Sequence, residues 1–260
     1  MSAEKHVARF RFYGSLNDFL SGRGRGTGPM IRHSFWGRPA AKDAIGAQGV
    51  PHPEVDLVLA DGSPVYFEYA LSPGDRISVY PWIQSLPRPA SHLRPEALQP
   101  PRFVCDVHLG RLARSLRMLG LDTRYDTDCS DSTLAQISDD EDRILLTRDI
   151  GLLKRSRVRR GRFVRAQKPR RQLAEMARLF DVAQDADPLS RCLSCNVELR
   201  AAAPEAIDEQ VPPHAHEAHD DFVQCPSCGS VFWAGSHVER TRRLIDDVTS
   251  SSDDNPDVLS

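Results

Sequence analysis

Phe103-Val-Cys-Asp106, Leu109-Gly-Arg-Leu-Ala-Arg-Ser-Leu-Arg-Met-Leu-Gly120, Asp122-Thr-Arg-Tyr-Asp-Thr-Asp128 and Ile144-Leu-Leu-Thr-Arg-Asp149 decide the fold. Phe103 to Cys105 is a short apolar run that ends on an acid, Asp106. Leu109, Leu112, Leu116 and Leu119 recur at three- and four-residue steps, the stripe of an amphipathic helix. Gly120 stops that helix as a C-terminal cap would. Asp122 to Tyr125 reads as a second strand running into Asp126 and Asp128. Ser132 to Asp140 is a short helix, with Ser130 or Asp131 available as its cap. Ile144 to Thr147 is a continuous apolar strand that runs into Asp149. Strand, helix, strand, helix, strand in about fifty residues predicts a parallel sheet.

Sites in open α/β sheets form along the C-terminal strand edge. Asp106, Asp126 or Asp128, and Asp149 are therefore expected to converge there. Hard carboxylate oxygens suit Mg²⁺ or Mn²⁺, ions that activate water and neutralise a phosphodiester in the transition state. A single Asp at a strand end is ordinary turn chemistry; three in succession favour a site.

The run Asp106-Val-His-Leu-Gly-Arg-Leu-Ala-Arg-Ser-Leu-Arg-Met-Leu-Gly, followed by Leu146-Thr-Arg-Asp149, resembles the Mut-seven C-terminal RNase family. Its members are PIN-like nucleases often followed by a zinc ribbon. The resemblance implies a PIN-like α/β domain and metal-dependent RNA cleavage. It implies Asp106 and Asp149 as catalytic acids, Asp126 and Asp128 as the acidic stretch after the second strand, and Arg111 and Arg114 as paired catalytic arginines. It leaves the fourth acid usual in PIN nucleases unplaced.

A chain of 260 residues predicts two or three domains. The formal charge of −2 selects no partner. No run approaches the roughly eighteen apolar residues of a membrane span, and the start lacks a secretory layout, so a cytoplasmic chain without membrane contact is expected.

Before the sheet, Val7 to Tyr13 alternates as a strand does. Gly22-Arg-Gly-Arg-Gly-Thr-Gly28 is a hairpin loop, without the Lys-Ser/Thr of a phosphate loop. Met30 to Phe35 reads as a strand and Ala41 to Ala47 as a helix. Val55–Leu59, Val65–Tyr69 and Ile77–Tyr80 read as three more strands. This order resembles a β-grasp, and Lys42-Asp-Ala-Ile with Gly49-Val-Pro-His-Pro-Glu-Val-Asp-Leu is similar to the ubiquitin-like domain often found before this RNase. No Gly-Gly end follows the last strand, which argues against a sulfur carrier. Five prolines between Leu86 and Pro101 mark a stiff linker.

Ten Lys or Arg and no acid occupy Lys154 to Arg171. Arg102 to Arg171 holds seventeen Lys/Arg against ten Asp/Glu, a local excess of seven. Clustered arginines grip phosphates bidentately, and the density favours RNA over a merely solvated face. Arg148, Lys154, Arg155, Arg157, Arg159, Arg160 and Arg162 are the expected RNA-binding set. Arg162 to Ala166 is a possible fourth strand and Gln172 to Phe180 a helix.

Cys192-Leu-Ser-Cys195 and Cys225-Pro-Ser-Cys228-Gly229 form two C-x-x-C knuckles, which predict a structural Zn²⁺ on four thiolates. Phe232 and Trp233 are the expected core of that ribbon, and His214, His216 and His219 lie in a solvated loop between the knuckles. Cys105 and Cys129 remain as unpaired thiols.

The expected organisation is a ubiquitin-like β-grasp domain (1–85), a proline-rich linker (86–101), a PIN-like parallel-sheet α/β domain (102–185), a zinc ribbon (186–240) and an acidic disordered tail (241–260). The expected function is a Mg²⁺- or Mn²⁺-dependent ribonuclease, acting in RNA processing or as a toxin-like RNase, with structural Zn²⁺. The rival is a non-catalytic RNA-binding or regulatory protein. The substrate stays open, with tRNA or another structured RNA among the candidates, as does the oligomeric state.

Overall fold

The computed structural model describes every residue except 1–3, 21–29, 83–91, 97, 181, 183, 208–209, 220, 236–237, 240–241, 244 and 247–260. The glycine-rich loop, part of the proline-rich linker and most of the acidic tail therefore lie outside the described residues. Two units divide the chain. The first draws on Met1–Glu96 and Asp149–Phe163, the second on Ala97–Arg148 and Val164–Asn255.

The first unit is built on β1 (His6–Phe12), β2 (Ile31–Phe35), α1 (Ala41–Ala47), β3 (Val55–Ala60), β4 (Ser63–Val65) and β5 (Arg76–Pro81). The sheet order is β2-β1-β5-β3-β4, with β1 and β5 parallel and the other neighbours antiparallel. A parallel central pair with α1 across its face is the ubiquitin-like arrangement. Alternation in β1 puts Ala8, Phe10 and Phe12 into a core shared with Ile45, Val58, Ile77 and Val79. Val65–Tyr69 is not a strand. The two-residue turn Asp61-Gly62 pairs Ala60 with Ser63, so pairing starts at Ser63 and ends at Val65. Tyr66 to Tyr69 then turns, the Tyr69 amide donating to the Tyr66 carbonyl at 3.1 Å.

The second unit opens with β6 (Phe103–Cys105), α2 (Gly110–Met118), β7 (Thr123–Tyr125), α3 (Asp131–Asp140) and β8 (Ile144–Thr147). β6 lies between β7 and β8 and is parallel to both. The leucine stripe of α2 faces this sheet: Leu109, Leu112, Leu116 and Leu119 are all buried with Phe103 and Leu146. Gly120 adopts φ 84°, and a Cβ there would lie 2.2 Å from the Asp187 carbonyl oxygen, so glycine ends the helix. Ser130 caps α3, accepting from the Thr133 amide at 3.2 Å.

After β8 the chain supplies the first unit with α4 (Ile150–Leu153) and β9 (Gly161–Phe163). It returns to the second unit with α5 (Pro169–Phe180), whose Leu173, Met176 and Ala177 join the core below α2. A three-stranded sheet follows, β10 (Arg200–Ala202), β11 (Phe222–Gln224) and β12 (Val231–Trp233), with α6 (Pro213–Ala218) between its first two strands. The segment expected as a solvated histidine loop thus contains a strand and a helix. Ile207, Val211, Ala215 and Phe222 bury that helix, while Phe232 and Trp233 are half-buried. Ile245, expected in the tail, is buried in the main core of the second unit. Among the described residues no helix is long and apolar enough to cross a membrane.

Candidate active site and metal centre

The register of the parallel sheet sets the site. Cys105 pairs with Tyr125 on one side and Leu146 on the other. The next row past the strand ends is therefore Asp106 flanked by Asp126 and Thr147. Asp106 is only 5% exposed. Its amide donates to the Leu146 carbonyl at 2.9 Å, and its Oδ2 accepts from Thr147 Oγ1 at 2.5 Å. A charge-assisted bond of that length fixes the carboxylate rotamer. Tyr125 closes the edge, its hydroxyl donating to the Val107 carbonyl at 3.0 Å. The ring crosses α2 at Gly110, where a Cβ would stand 2.6 Å from the Tyr125 oxygen.

The other acids are placed differently. Asp126 and Asp128 are exposed, and Asp126 Oδ1 accepts from the Asp128 amide at 2.9 Å, a local turn. Asp149 is exposed and caps α4, its Oδ1 accepting from the amides of Gly151 at 2.6 Å and Leu152 at 3.3 Å. It belongs to the segment that packs in the first unit, whereas Asp106 belongs to the second. Asp106, Asp126 and Asp128 of the second unit do not form a close ligand group: among the described residues the one group of three or more His, Cys, Asp or Glu side chains is made of cysteines. As chemistry the acids fit Mg²⁺ or Mn²⁺, since they are hard oxygens. Asp106 has the bearing of a ligand, with one oxygen anchored by a neighbour.

Arg111 and Arg114 are exposed on α2, on the face away from the leucine stripe. The basic segment divides. Arg155, Arg157 and Arg159 are exposed. Lys154 is exposed and donates to the Gly46 carbonyl at 3.0 Å, and Arg160 donates to the Glu96 carbonyl. Two expected RNA ligands are drawn into the fold instead. Arg148 Nη1 donates to the carbonyls of Val164, Arg165 and Ala166 at 2.7 to 3.0 Å. Arg162 is buried and pairs with Glu54 at 2.9 Å, because a wholly buried carboxylate needs a cation. The Arg162 guanidinium is buried, while Arg148 is half-buried. His108 is exposed beside Asp106.

Cys192, Cys195, Cys225 and Cys228 bring their sulfurs within 4.8 Å of one another, and all four are free thiols. Cys192 and Cys228 are 3.6 Å apart, Cys195 and Cys225 3.4 Å. Sulfurs around a tetrahedral zinc would stand about 3.8 Å apart, given zinc–sulfur bonds near 2.3 Å. The donor set therefore fits zinc. The Cys228 amide points at Cys225 Sγ, 3.5 Å away. Without a cation the four thiols cannot all ionise. Burial pushes Cys192 up to about 12, while the Ser230 hydroxyl and amide draw Cys228 down to about 6. Coordination deprotonates such thiols outright.

Two residues that sequence reasoning passed over join this centre to the sheet. Arg117, 4% exposed, donates to the carbonyls of Thr123 (2.8 Å), Leu193 (3.1 Å) and Ser194 (2.7 Å). Asn196 accepts from the Thr123 amide at 3.0 Å and donates to Asp122 at 2.6 Å. Burial alone would raise the Asp122 carboxyl; hydrogen bonds from Arg143 and Asn196 outweigh it and hold the group below its ordinary value.

The Mut7-C RNAse domain matches residues 101–245, more than half of the chain. The chain belongs to that family. The Mut7-C ubiquitin domain matches residues 5–87, which covers the β-grasp elements up to β5. Comparison with curated proteins and with solved structures finds no match. The Mut7-C RNase match takes in the parallel sheet and both knuckles, so the nuclease class and the cysteine centre come as one stretch.

Proposed function

We propose that this Mut7-C chain is a metal-dependent ribonuclease of the cytoplasm that hydrolyses RNA phosphodiester bonds in RNA processing or as a toxin-like RNase. The observation that carries the reading is Asp106: a buried carboxylate at the C-terminal strand edge, anchored by Thr147, inside a stretch that matches an RNase family. Asp106 and Asp149 would hold the Mg²⁺ or Mn²⁺, with Asp126 or Asp128 contributing from the second strand. When bound, such an ion neutralises the phosphate and lowers the pKa of the attacking water. Arg111 and Arg114 would bind the scissile or neighbouring phosphate from the exposed face of α2. Lys154, Arg155, Arg157, Arg159 and Arg160 track the backbone of the RNA. Zn²⁺ on the four cysteines is structural, since four thiolates leave no open position.

A rival reading, a non-catalytic RNA-binding protein, is favoured by one observation: Asp106, Asp126 and Asp128 of the second unit do not gather into a ligand group as the cysteines do. The two separate on one variant. Asp106→Asn is expected to abolish cleavage of labelled RNA with Mn²⁺ present while leaving RNA affinity within about twofold, because a single acid at the edge carries little of the phosphate-contact energy. Equal loss of both would overturn the metal role, and absence of Mn²⁺-dependent cleavage by the unaltered chain would leave the rival.

A further inference from the structure

The second unit contains a cleft of about 510 Å³, and Arg114 on its rim is the one lining residue that the nuclease reading also uses. Its floor is apolar and buried, formed by Met118 from α2 and Leu193 from the first knuckle. Phe232 and Trp233 of β12 line it, and Arg114 and His219 supply its polar groups. The volume lies within the range of ordinary ligand sites, which are mostly apolar with a few placed polar groups.

The cleft is held open by structure on both sides. Arg117 ties α2 to the Leu193 and Ser194 carbonyls, so floor and helix are fixed to each other. The Trp233 ring is braced by Phe222, centroids 6.2 Å apart and planes at 60°. Both lining aromatics are only partly buried although a ribbon core would bury them fully. Arg114 shows no hydrogen bond or ion pair among the described residues.

We propose that this cleft seats one unpaired base of an RNA strand, with an adjoining phosphate on Arg114. The inference rests on the RNA-substrate reading and gives that substrate a second point of attachment. A base is flat and apolar on its faces and polar at its edges, which matches aromatic walls with a histidine at hand. Stacking of this kind is tolerant of sequence, as every base has a π-face. An apolar peptide would fill the floor but would leave the guanidinium of Arg114 without a partner.

The test uses the full zinc-loaded chain without added Mg²⁺ or Mn²⁺. Binding of a short oligouridylate is compared with binding of an abasic ribose-phosphate oligomer of equal charge. The chain is expected to prefer the oligouridylate by about tenfold, the scale of one stacked base. Trp233→Leu and Phe232→Leu should each remove most of that preference and leave affinity for the abasic oligomer unchanged. Arg114→Gln should weaken both oligomers alike. Zinc content confirms that the ribbon has folded; if Trp233→Leu loses zinc, Phe232→Leu decides, together with quenching of Trp233 by oligouridylate in a Trp36→Phe, Trp82→Phe chain. Equal binding of the two oligomers by the unaltered chain overturns the cleft and leaves the RNA reading standing. Binding of neither overturns both. A Trp233 or Phe232 change that weakens both oligomers equally shows a scaffold role and also overturns it.

Discussion

Arg117 joins two stretches that lie far apart in the chain. Its guanidinium serves three carbonyls, two of them in the first knuckle. The leucine stripe of α2 was plain in the sequence, and Arg117 drew no reading of its own there. Nothing local distinguishes it from Arg111 and Arg114, which do face solvent. What distinguishes it is the knuckle 76 residues on, a partner that periodicity cannot show. Arg117→Met keeps much of the buried stem but removes all three donors. It is expected to cost about 2 kcal/mol, the penalty of leaving buried carbonyls unsatisfied. It should also speed zinc loss to a chelator, since the knuckle is no longer held in place for the cation. Zinc release followed with a colorimetric chelator checks this, and a release rate equal to that of the unaltered chain would show the clamp to be dispensable. Thr147 was missed for a related reason. The eye follows acids, and Asp149 is the acid after β8, but the register sets Thr147 beside Asp106.

Among the elements, those with a strong period were legible: β1, α1, β3, α2, α3, β8 and α5 fall where alternation or the leucine step puts them. Val65–Tyr69 failed because composition favours a strand there while a tight turn at Asp61-Gly62 dictates the register. The turn before β3, Pro51-His-Pro-Glu54, part of the run that resembles the ubiquitin-like domain, is packed structure. Burial lowers its His52 imidazole to about 4, with Lys42 adding to the shift and a bond to the Val158 backbone opposing it. The ring is thus neutral at pH 7 in the folded chain. As pH falls below about 6.5 the unfolded chain takes up a proton that the folded one refuses. Stability from this group is therefore lost between about pH 6.5 and about 4 and does not change further below. At partial burial the loss should be roughly 2 kcal/mol. Urea midpoints of a Trp233→Phe chain, read by Trp36 and Trp82 fluorescence at pH 7 and 4.5, test this in the first unit. His52→Gln should flatten the difference; an unchanged pH slope would place the titration elsewhere.

At the scale of the whole molecule, the boundary drawn by sequence and the boundary drawn by packing disagree. The RNase match runs unbroken through 101–245, yet Asp149–Phe163 packs with the N-terminal residues. Glu54 is the reason. Its carboxylate is wholly buried, pairs with Arg162, and accepts from the Phe163 amide at 2.6 Å. Ile150 and Phe163 pack on the same core, and Phe163 meets the Phe19 ring at 5.5 Å. A partner 108 residues away, Glu54, leaves no trace in local pattern, which is why Arg162 read as one more RNA cation. The exposed arginines 155, 157 and 159 are thus carried by a segment whose far end the ubiquitin-like unit holds. Glu54→Ala would strand Arg162 without its countercharge at a cost of about 3–5 kcal/mol, and the conservative Glu54→Asp should restore part of it. Removal of residues 1–96 should have the same local effect without a point change in the core. In the full chain trypsin meets an Arg162 that is 5% exposed and should cut elsewhere first. In a chain beginning at residue 97 the bond after Arg162 should become an early cleavage site, identified by mass spectrometry of the first fragments. Protection of Arg162 in that shortened chain would mean that the segment orders without Glu54, and the RNase stretch would then be independent of the ubiquitin-like unit after all.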